Sequence, residues 1–526
     1  MLGLAALLRV VNLGGRPLWY DEAFAVLYAE KPLVTMLYGT VSQVGGAAAD
    51  VHPLFYYTLL HSWMELWGQS PAAVRSLSVL LGIATVWVVY HLAGYLYGRR
   101  VGLVAAVVLS ISPFHIYYSQ ETRMYALLGL AAVTTTYCFV RAWSGASRQV
   151  AGGQWQVAGS RWQVRDATCY LPPATWWLAF AIAGVTTLYA HNLGAFFLAA
   201  VDGWVVWAWW RGRRLVNLRP VVLSHLLMLA LFAPWLLVAP GQWAKIGQAY
   251  WVTRPGLAEL IQTLLIFHFA YDNQALPTWL LPAALFFSLL LPAVLVVAGG
   301  KWQVTSGKCH LPPATCHTFL LCLTLLPILL TFLVSQERPV YVARAMLPSA
   351  IVYYILAAAA LVKGSMPRPV RWGVLLPAVA IVVISLVNHY TYARFPRSPF
   401  DQVAAYLAAQ SDPAEAIVHS NKLTFLPTHY YGRRLEAAFL ADAPGSPEDT
   451  LAYPTQVALG LFATPDLATA VAGRHRVWFV ILARAVEEYQ AAGRPHPHLA
   501  WLEGRYEQVR TVAFNDVLVY EYVARP

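Results

Sequence analysis

The sequence predicts a polytopic α-helical membrane protein that ends in a small α/β domain, and three observations predict this fold class. Of the 526 residues, 59% are hydrophobic and only 12% are charged, with a mean hydropathy of +0.53. Apolar runs close to the length that crosses a bilayer recur along the first 392 residues. Beyond residue 392, alternating and amphipathic patterns replace these runs. This composition excludes a soluble globular protein.

Apolar runs predict about 11 membrane-spanning helices. The runs cover residues 1–13, 77–97, 102–117, 124–142, 175–190, 193–210, 220–239, 276–298, 318–335, 344–362 and 373–392. The first run is shorter than the roughly 20 residues that cross about 30 Å of hydrocarbon. We therefore expect a missing segment upstream of residue 1; the alternative is that this first helix is a truncated remnant.

The positions of lysine and arginine predict the orientation of the helices. With the N-terminus inside, the cytoplasmic loops carry 15 of the 24 basic residues that precede residue 393, and one acidic residue, Asp166. Cytoplasmic loops of membrane proteins are enriched in these bases. The distribution places the loop after the first helix, residues 117–123, residues 240–275 and the C-terminal region on the outer face. The pI of 9.4 thus reflects topology, and nucleic acid is not needed as a partner to explain it.

Residues 1–392 are predicted to form the membrane domain, and residues 393–526 an extracytoplasmic α/β domain. The second part holds 14 of the 25 acidic residues and 12 of the 36 basic ones, whereas the first carries a net charge of +13. Local patterns predict a helix, two strands and a hairpin around Asn515-Asp516. These elements are residues 401–410, 415–419, 476–482 and 509–523. None of them carries a catalytic motif.

Two predicted cytoplasmic loops, residues 155–175 and 302–318, share Trp-Gln-Val and Leu-Pro-Pro-Ala-Thr motifs. The second copy contains residue types that ligate zinc: Cys309, His310, Cys316 and His317. The first copy lacks both histidines and the second cysteine. We therefore expect an inserted element in a loop that tolerates length, in preference to a zinc site.

The first outer loop carries the strongest candidate for chemistry. In Leu18-Trp19-Tyr20-Asp21-Glu22-Ala23, two adjacent carboxylates follow two large aromatic residues. Charge beside a membrane span is costly and is usually functional or paired. Adjacent residues on a helix point about 100° apart, so only one of the two carboxylates can face a substrate. The alternative is an interfacial aromatic belt with a solvated acidic pair.

Further candidates lie in the same loop and in later ones. Asp50 and His52 are suitable ligands for a divalent cation, although His52 could equally be a structural residue before Pro53. The tyrosine-flanked segment with Gln120, Glu121 and Arg123 suits a sugar, which offers apolar faces and hydroxyl groups; the alternative there is an interfacial pair of Arg123 with Glu121.

Two arginines in later outer loops complete the candidate set. Arg338 and Arg344 could bind a lipid phosphate, because guanidinium groups match phosphate oxygens. The alternative for each is contact with lipid headgroups.

Taken together, these motifs resemble polyprenyl-phosphate-sugar-dependent glycosyltransferases of the C-type fold. This membrane superfamily includes protein O-mannosyltransferases and lipid A aminoarabinose transferases. The similarity covers about the first 130 residues, with a weaker match later, in segments 9–23, 50–57, 73–78, 97–102, 112–125 and 344–348. The motifs are specific for the superfamily but not for one substrate. The chain departs from the pattern in its short first helix, its repeat insertions and a single proline at Pro53.

The resemblance implies the C-type fold and a catalytic role for Asp21, which matches the family's catalytic aspartate, with Glu22 beside it. It also places Asp50 near a second acidic residue implicated in metal binding, so a divalent cation held by Asp21, Asp50 and His52 is the expected cofactor. The residues expected to bind substrate are Tyr20, His52, Gln120, Glu121, Arg123, Arg338 and Arg344.

These inferences predict a multi-pass enzyme of the cytoplasmic membrane that acts in the cell envelope. It would transfer a sugar from polyprenyl phosphate to a hydroxyl of a lipid, glycan or protein, with inversion at the anomeric carbon and Asp21 as general base. The main alternative is a transporter or flippase of lipid-linked sugars, which would line a path through several helices with polar groups. Here such groups cluster in outer loops, and Asp202 is the main exception. A membrane-anchored scaffold for the outer domain is a third alternative.

Overall fold

The computed structural model describes residues 1–150, 173–211, 218–248, 252–271, 276–299, 313–364, 367–392, 397–442 and 451–525. The regular elements described before residue 393 are helices, apart from one small two-stranded ladder, β1 (Gln43–Val44) and β2 (Ala47–Ala48). Its helices are α1 (Leu2–Val10), α2 (Tyr20–Ala29), α3 (Leu33–Val41), α4 (Phe55–Trp67), α5 (Pro71–Tyr97), α6 (Arg99–Ile111), α7 (Pro113–Ser119), α8 (Tyr125–Val150), α9 (Pro173–Ala190), α10 (Gly194–Arg211), α11 (Arg219–Leu236), α12 (Ala239–Gln248), α13 (Leu257–His268), α14 (Leu281–Gly299), α15 (Pro313–Val334), α16 (Leu347–Lys363) and α17 (Arg368–Thr391). Short 3₁₀ helices precede α14 and α16, at Thr278–Leu280 and Ala343–Met346.

Within the described residues, six helices are long and apolar enough to cross a membrane. They are α5, α8, α11, α15, α16 and α17. The bent pair of α6 and α7, with a 64° angle between its parts, would make a seventh. Each of the eleven apolar runs coincides with a helix, so the helical multi-pass class is confirmed. The number of eleven spans stays a prediction.

The sequence explains the break between α6 and α7. Ser112 is the N-cap residue of α7, and its hydroxyl accepts a hydrogen bond from the backbone N–H of His115 (3.3 Å). Pro113 follows at the first helical position, where its missing N–H costs nothing. The same residue cannot continue α6, because a proline inside a helix removes a backbone bond. The α7 helix then leads into residues 120–123, which form one side of the site described below.

The C-terminal part folds around a six-stranded mixed sheet. Its elements are α18 (Phe400–Gln410), β3 (Ala416–His419), α19 (Lys422–Tyr431), β4 (Ala437–Leu440), α20 (Tyr453–Leu459), β5 (Ala463–Thr464), α21 (Leu467–Ala470), β6 (Arg476–Leu482), α22 (Ala483–Ala491), α23 (Pro497–Glu503), β7 (Tyr506–Phe514) and β8 (Val517–Ala524). The strand order is β5-β4-β3-β6-β8-β7. Strands β3 to β6 are parallel, and β8 pairs antiparallel with both β6 and β7. The expected helix, strands and hairpin are all present.

The C-terminal part shares a hydrophobic core with the membrane part. Phe425, Leu426 and Phe439 belong to the same buried cluster as residues of α2 and α5. Two smaller clusters lie within the sheet region itself, one around Phe479 and one around Trp478. Helix α19 packs on α2, and α20 packs on α3. The division at residue 393 therefore stays a prediction about domains, and the two parts are in contact through the first outer loop.

Candidate active site

Asp21 lies at the beginning of α2, between two arginines. Trp19 is the N-cap residue in an extended conformation, so Asp21 falls in the first helical turn, where backbone N–H groups favour a carboxylate. Its Oδ2 atom is 3.4 Å from Nη1 of Arg344 and 3.9 Å from Nε of Arg123. The side chain keeps 17% exposure. Burial works to raise the pKa of Asp21, but Arg123 and Arg344 outweigh it, and the net result is a lowered pKa.

Glu22 faces the opposite way and is buried. Arg75 donates two hydrogen bonds to its carboxylate, from Nε to Oε1 (2.8 Å) and from Nη2 to Oε2 (2.7 Å). The backbone N–H of Thr122 donates a third, to Oε1 (3.0 Å). Burial works to raise the pKa of Glu22, but Arg75, Arg397 and the Thr122 backbone N–H together lower it overall. The expected divergence of the two carboxylates is present. The oxygens of Glu22 hold Arg75 and the backbone of Thr122, and its catalytic role stays a prediction.

Gln120 and Glu121 are also turned into the protein interior. The Gln120 amide donates to the carbonyls of Arg9 (2.9 Å) and Val11 (3.0 Å), and its Oε1 lies 2.8 Å from His389. Glu121 accepts from two side chains that are described further below, and burial raises its pKa. Their exposure is 4% and 2%, and their described contacts hold the protein together at this point. A role for them in substrate binding stays a prediction.

Arg123 and Arg344 lie among tyrosines. Arg123 donates from Nη1 to the hydroxyl of Tyr57 (3.3 Å), and the guanidinium of Arg344 lies 5.4 Å from the ring centre of Tyr125. Tyr20, next to Asp21, is half-buried. Two cations, one carboxylate and aromatic faces thus meet at one place, and the roles predicted for these residues in substrate binding stay predictions.

Asp50 and His52 form a pair of their own. Asp50 Oδ1 accepts from the backbone N–H of His52 and lies 2.9 Å from its Nδ1 atom. Burial works to raise the pKa of Asp50, and His52 and the backbone bond lower it overall. The carbonyl of Asp50 accepts from Gln242 (3.2 Å), and Asn192 donates to the carbonyl of Val51 (2.9 Å). These contacts fix the loop beside Asp21.

The predicted metal ligands do not fit a metal site as they stand. In the described part of the chain, no three His, Cys, Asp or Glu side chains come together closely enough to hold an ion. Asp21 faces two guanidinium groups, and the carboxylate of Asp50 is bonded to His52. We therefore derive no step through a metal.

Arg338 packs against α12. It follows α15, and a Cβ atom added at Gly247 would come 1.5 Å from its Nη1 atom, so the guanidinium packs on α12. None of its described contacts involves Asp21, and its role in binding stays a prediction.

Several residues of the site were not assigned a role from the sequence. Arg75 was visible as a charge in the first outer loop, but its partner was not. His191, whose ring centre is 6.2 Å from that of His52, lies where two apolar runs meet, together with Asn192. Arg397 lies beyond the last predicted span, and only its position at the region boundary could have drawn attention to it.

Two other features were singled out from the sequence, the repeat with its possible zinc ligands and Asp202. Cys309 and His310 of the repeat lie outside the described residues, whereas Nδ1 of His317 lies 2.7 Å from the hydroxyl of Tyr97. Asp202, the acidic residue in a predicted span, pairs with His225 at 2.8 Å, between α10 and α11. That charge has a partner on a neighbouring helix.

Comparison with known proteins supports the fold. Residues 51–160 match the family model described as dolichyl-phosphate-mannose-protein mannosyltransferase. The crystal structure of ArnT from Cupriavidus metallidurans in the apo state is similar with a TM-score of 0.61 and 14% identity, covering 100% of this chain and 98% of that one. ArnT bound to undecaprenyl phosphate gives 0.59, with the same identity and coverage. No curated protein matches the chain.

A more distant match points to the same architecture. The apo oligosaccharyltransferase of Archaeoglobus fulgidus is similar with a TM-score of 0.54 and 12% identity, over 100% of this chain and 74% of that one. The resemblance found in the sequence is therefore confirmed. The chain is a multi-pass membrane protein with the C-type glycosyltransferase fold.

Proposed function

We propose that this protein is a membrane glycosyltransferase that takes a sugar from polyprenyl phosphate and transfers it to an acceptor hydroxyl on the outer face of the cytoplasmic membrane. The observation that carries the proposal is the partly exposed carboxylate of Asp21, held between Arg123 and Arg344 at the N-terminus of α2. The family match and the fold support it. The acceptor would be a lipid, a glycan or a protein.

The reaction joins the acceptor oxygen to the anomeric carbon and breaks the bond from that carbon to the phosphate oxygen. Attack from the face opposite the phosphate inverts the anomeric centre. Asp21 takes the hydroxyl proton as general base. Its lowered pKa keeps the carboxylate ionised at neutral pH, which is the form that accepts a proton.

The leaving group is an anion and needs no proton. Arg344 and Arg123 would hold the phosphate oxygens and offset the charge that develops as the bond to carbon breaks. Both guanidinium groups lie beside Asp21, so the sugar would lie between the base on one side and the phosphate on the other, with each arginine reaching across to the phosphate. Tyr20 and His52, on the same side of the loop, would contact the sugar.

The test is Asp21→Asn in membranes supplied with a radiolabelled polyprenyl-phosphate sugar. General bases contribute about 10² to 10⁴ in rate, so we expect a loss of that order in kcat, with the protein still monodisperse in detergent. Glu65→Gln is the matched control, because Glu65 is an exposed carboxylate on α4. Near-normal transfer by Asp21→Asn would remove the proposed role. Movement of label across the membrane without release of polyprenyl phosphate would favour the flippase.

A further inference from the structure

Arg397 reaches from the C-terminal part into the group around Asp21. It lies three residues before α18, and its side chain is 6% exposed. Its Nη2 atom donates to Oε1 of Glu121 (3.2 Å) and to the hydroxyl of Tyr117. Its guanidinium also lies 4.4 Å from the ring centre of Trp19. A cation from one part of the chain is thus buried against residues of the other.

Trp19 is held from two sides. Its indole N–H donates to Oε1 of Glu121 (3.0 Å), the same oxygen that accepts from Arg397, while Arg397 covers its ring. Trp19 is also the N-cap residue of α2, two positions before Asp21. A shift of its indole would therefore change the direction in which α2 begins and move the carboxylate of Asp21.

The segment before Asp21 has a second fixed point from the C-terminal part. The backbone N–H of Leu18 donates to the hydroxyl of Tyr431 (2.8 Å). The residue that follows Arg397, Ser398, donates to Asp516 in the turn between β7 and β8 (2.8 Å). A continuous set of contacts therefore runs from the β7–β8 hairpin to the N-terminus of α2.

Other contacts between the two parts lie farther along the same loop. Arg433 pairs with Glu30 at the other end of α2 (3.0 Å), and Thr455 donates to the carbonyl of Gly39 (2.8 Å). These contacts attach the C-terminal part without touching Trp19 or Glu121. A substitution at one of these contacts would therefore weaken the attachment of the C-terminal part without removing a contact of Trp19 or Glu121.

We propose that Arg397 is a positioning residue that sets the place of Asp21 by fixing Trp19 and Glu121. Through it, the arrangement of the C-terminal part governs the rate of sugar transfer. The proposal rests on the proposed function, since it concerns the same carboxylate. Arg397 itself does not contact the reacting atoms, and it acts through the loop.

The test compares Arg397→Met with Arg397→Lys, using Arg433→Met as the matched control. Misplacement of a catalytic group by 1 Å costs on the order of 10²-fold, so we expect Arg397→Met to lower kcat by about that factor while KM for the lipid-linked sugar stays unchanged. Arg397→Lys keeps the charge over Trp19 and recovers most of kcat. Arg433→Met retains wild-type kcat.

Because Arg397→Met leaves the buried carboxylate of Glu121 without this cation, the single variant could fail to fold. The double variant with Glu121→Gln removes both charges and keeps the volume. We expect it to fold and still to show the low kcat. A wild-type kcat in this double variant would overturn the proposal, as would a rise in KM alone or an equal loss in Arg433→Met.

A readout independent of activity separates this proposal from the proposed function. Hydrogen–deuterium exchange of the peptide that covers residues 18–24 should rise in Arg397→Met and in the double variant, but stay unchanged in Arg433→Met. If exchange changes in this way while the wild-type protein transfers no sugar, the proposed function fails and the positioning role stands. Unchanged exchange in the Arg397 variants would overturn the positioning role.

Discussion

Asp21 and Glu22 are adjacent in the chain, yet they take different partners because neighbouring residues on a helix point about 100° apart. Glu22 is enclosed with Arg75, whereas Asp21 faces the partly open side with Arg123 and Arg344. The sequence could predict the divergence from helix geometry. It could not predict which residue would face inward, because that depends on Arg75, 53 positions away.

Glu22→Gln should destabilise the fold. Removing one partner of a buried ion pair costs about 3 to 5 kcal/mol, because the remaining charge stays buried. We expect a marked fall in the thermal unfolding midpoint in detergent and a low yield of monodisperse protein. Glu65→Gln, at an exposed site, should leave both unchanged. An unaltered midpoint for Glu22→Gln would show that Arg75 finds another partner.

Arg344→Gln should impair turnover through the leaving phosphate. Loss of one fixed donor to developing negative charge costs about 10² to 10³ in kcat, and Arg344→Lys should lose less because it retains the charge. Steady-state transfer assays with the lipid-linked sugar measure both. Arg484→Gln, which changes a guanidinium that is 85% exposed, is the control. Equal activity of all three variants would show that Arg344 does not meet the phosphate.

At the level of helices and strands, the sequence was most informative where the pattern is periodic. The strand at residues 476–482 has the predicted ends, and the hairpin turns at Asn515, whose φ is +51°. The pairing of side chains within the site could not be predicted in this way. The pairing of Glu121 with Arg397, and not with Arg123, joins residues 276 positions apart, and no local pattern encodes such a contact.

The packing of α5 on α6 provides a matched pair of glycine substitutions. A Cβ added at Gly102 would lie 2.6 Å from the carbonyl oxygen of Tyr90, a backbone atom that cannot move alone. A Cβ added at Gly94 meets nothing within 4 Å. Gly102→Ala should therefore destabilise by about 1 to 3 kcal/mol, while Gly94→Ala should be neutral or stabilising, since alanine favours a helix. Thermal unfolding in detergent measures both, and equal midpoints would contradict the close approach of the two helices.

For the molecule as a whole, hydropathy and charge predicted the class of protein, and the structure adds how its two parts meet. The orientation with α2 and the sheet outside stays a prediction that an accessibility experiment can test. In a cysteine-free background, Val509→Cys, an exposed position on β7, should react in intact cells with a membrane-impermeant maleimide. Arg100→Cys, at the opposite end of the bundle, should react only after permeabilisation. The reverse pattern would invert the topology.

The hydrogen bond from Leu18 to Tyr431 joins positions 413 residues apart, and the contacts of Arg397 with Trp19 have a similar reach. Because the chain is synthesised from the N-terminus, the N-terminal loop reaches the membrane while most of the polypeptide is still being made. Its final arrangement depends on groups that emerge late in translation. A chain that stops early would be inserted but inert, which would keep unfinished copies from consuming lipid-linked sugar during biogenesis.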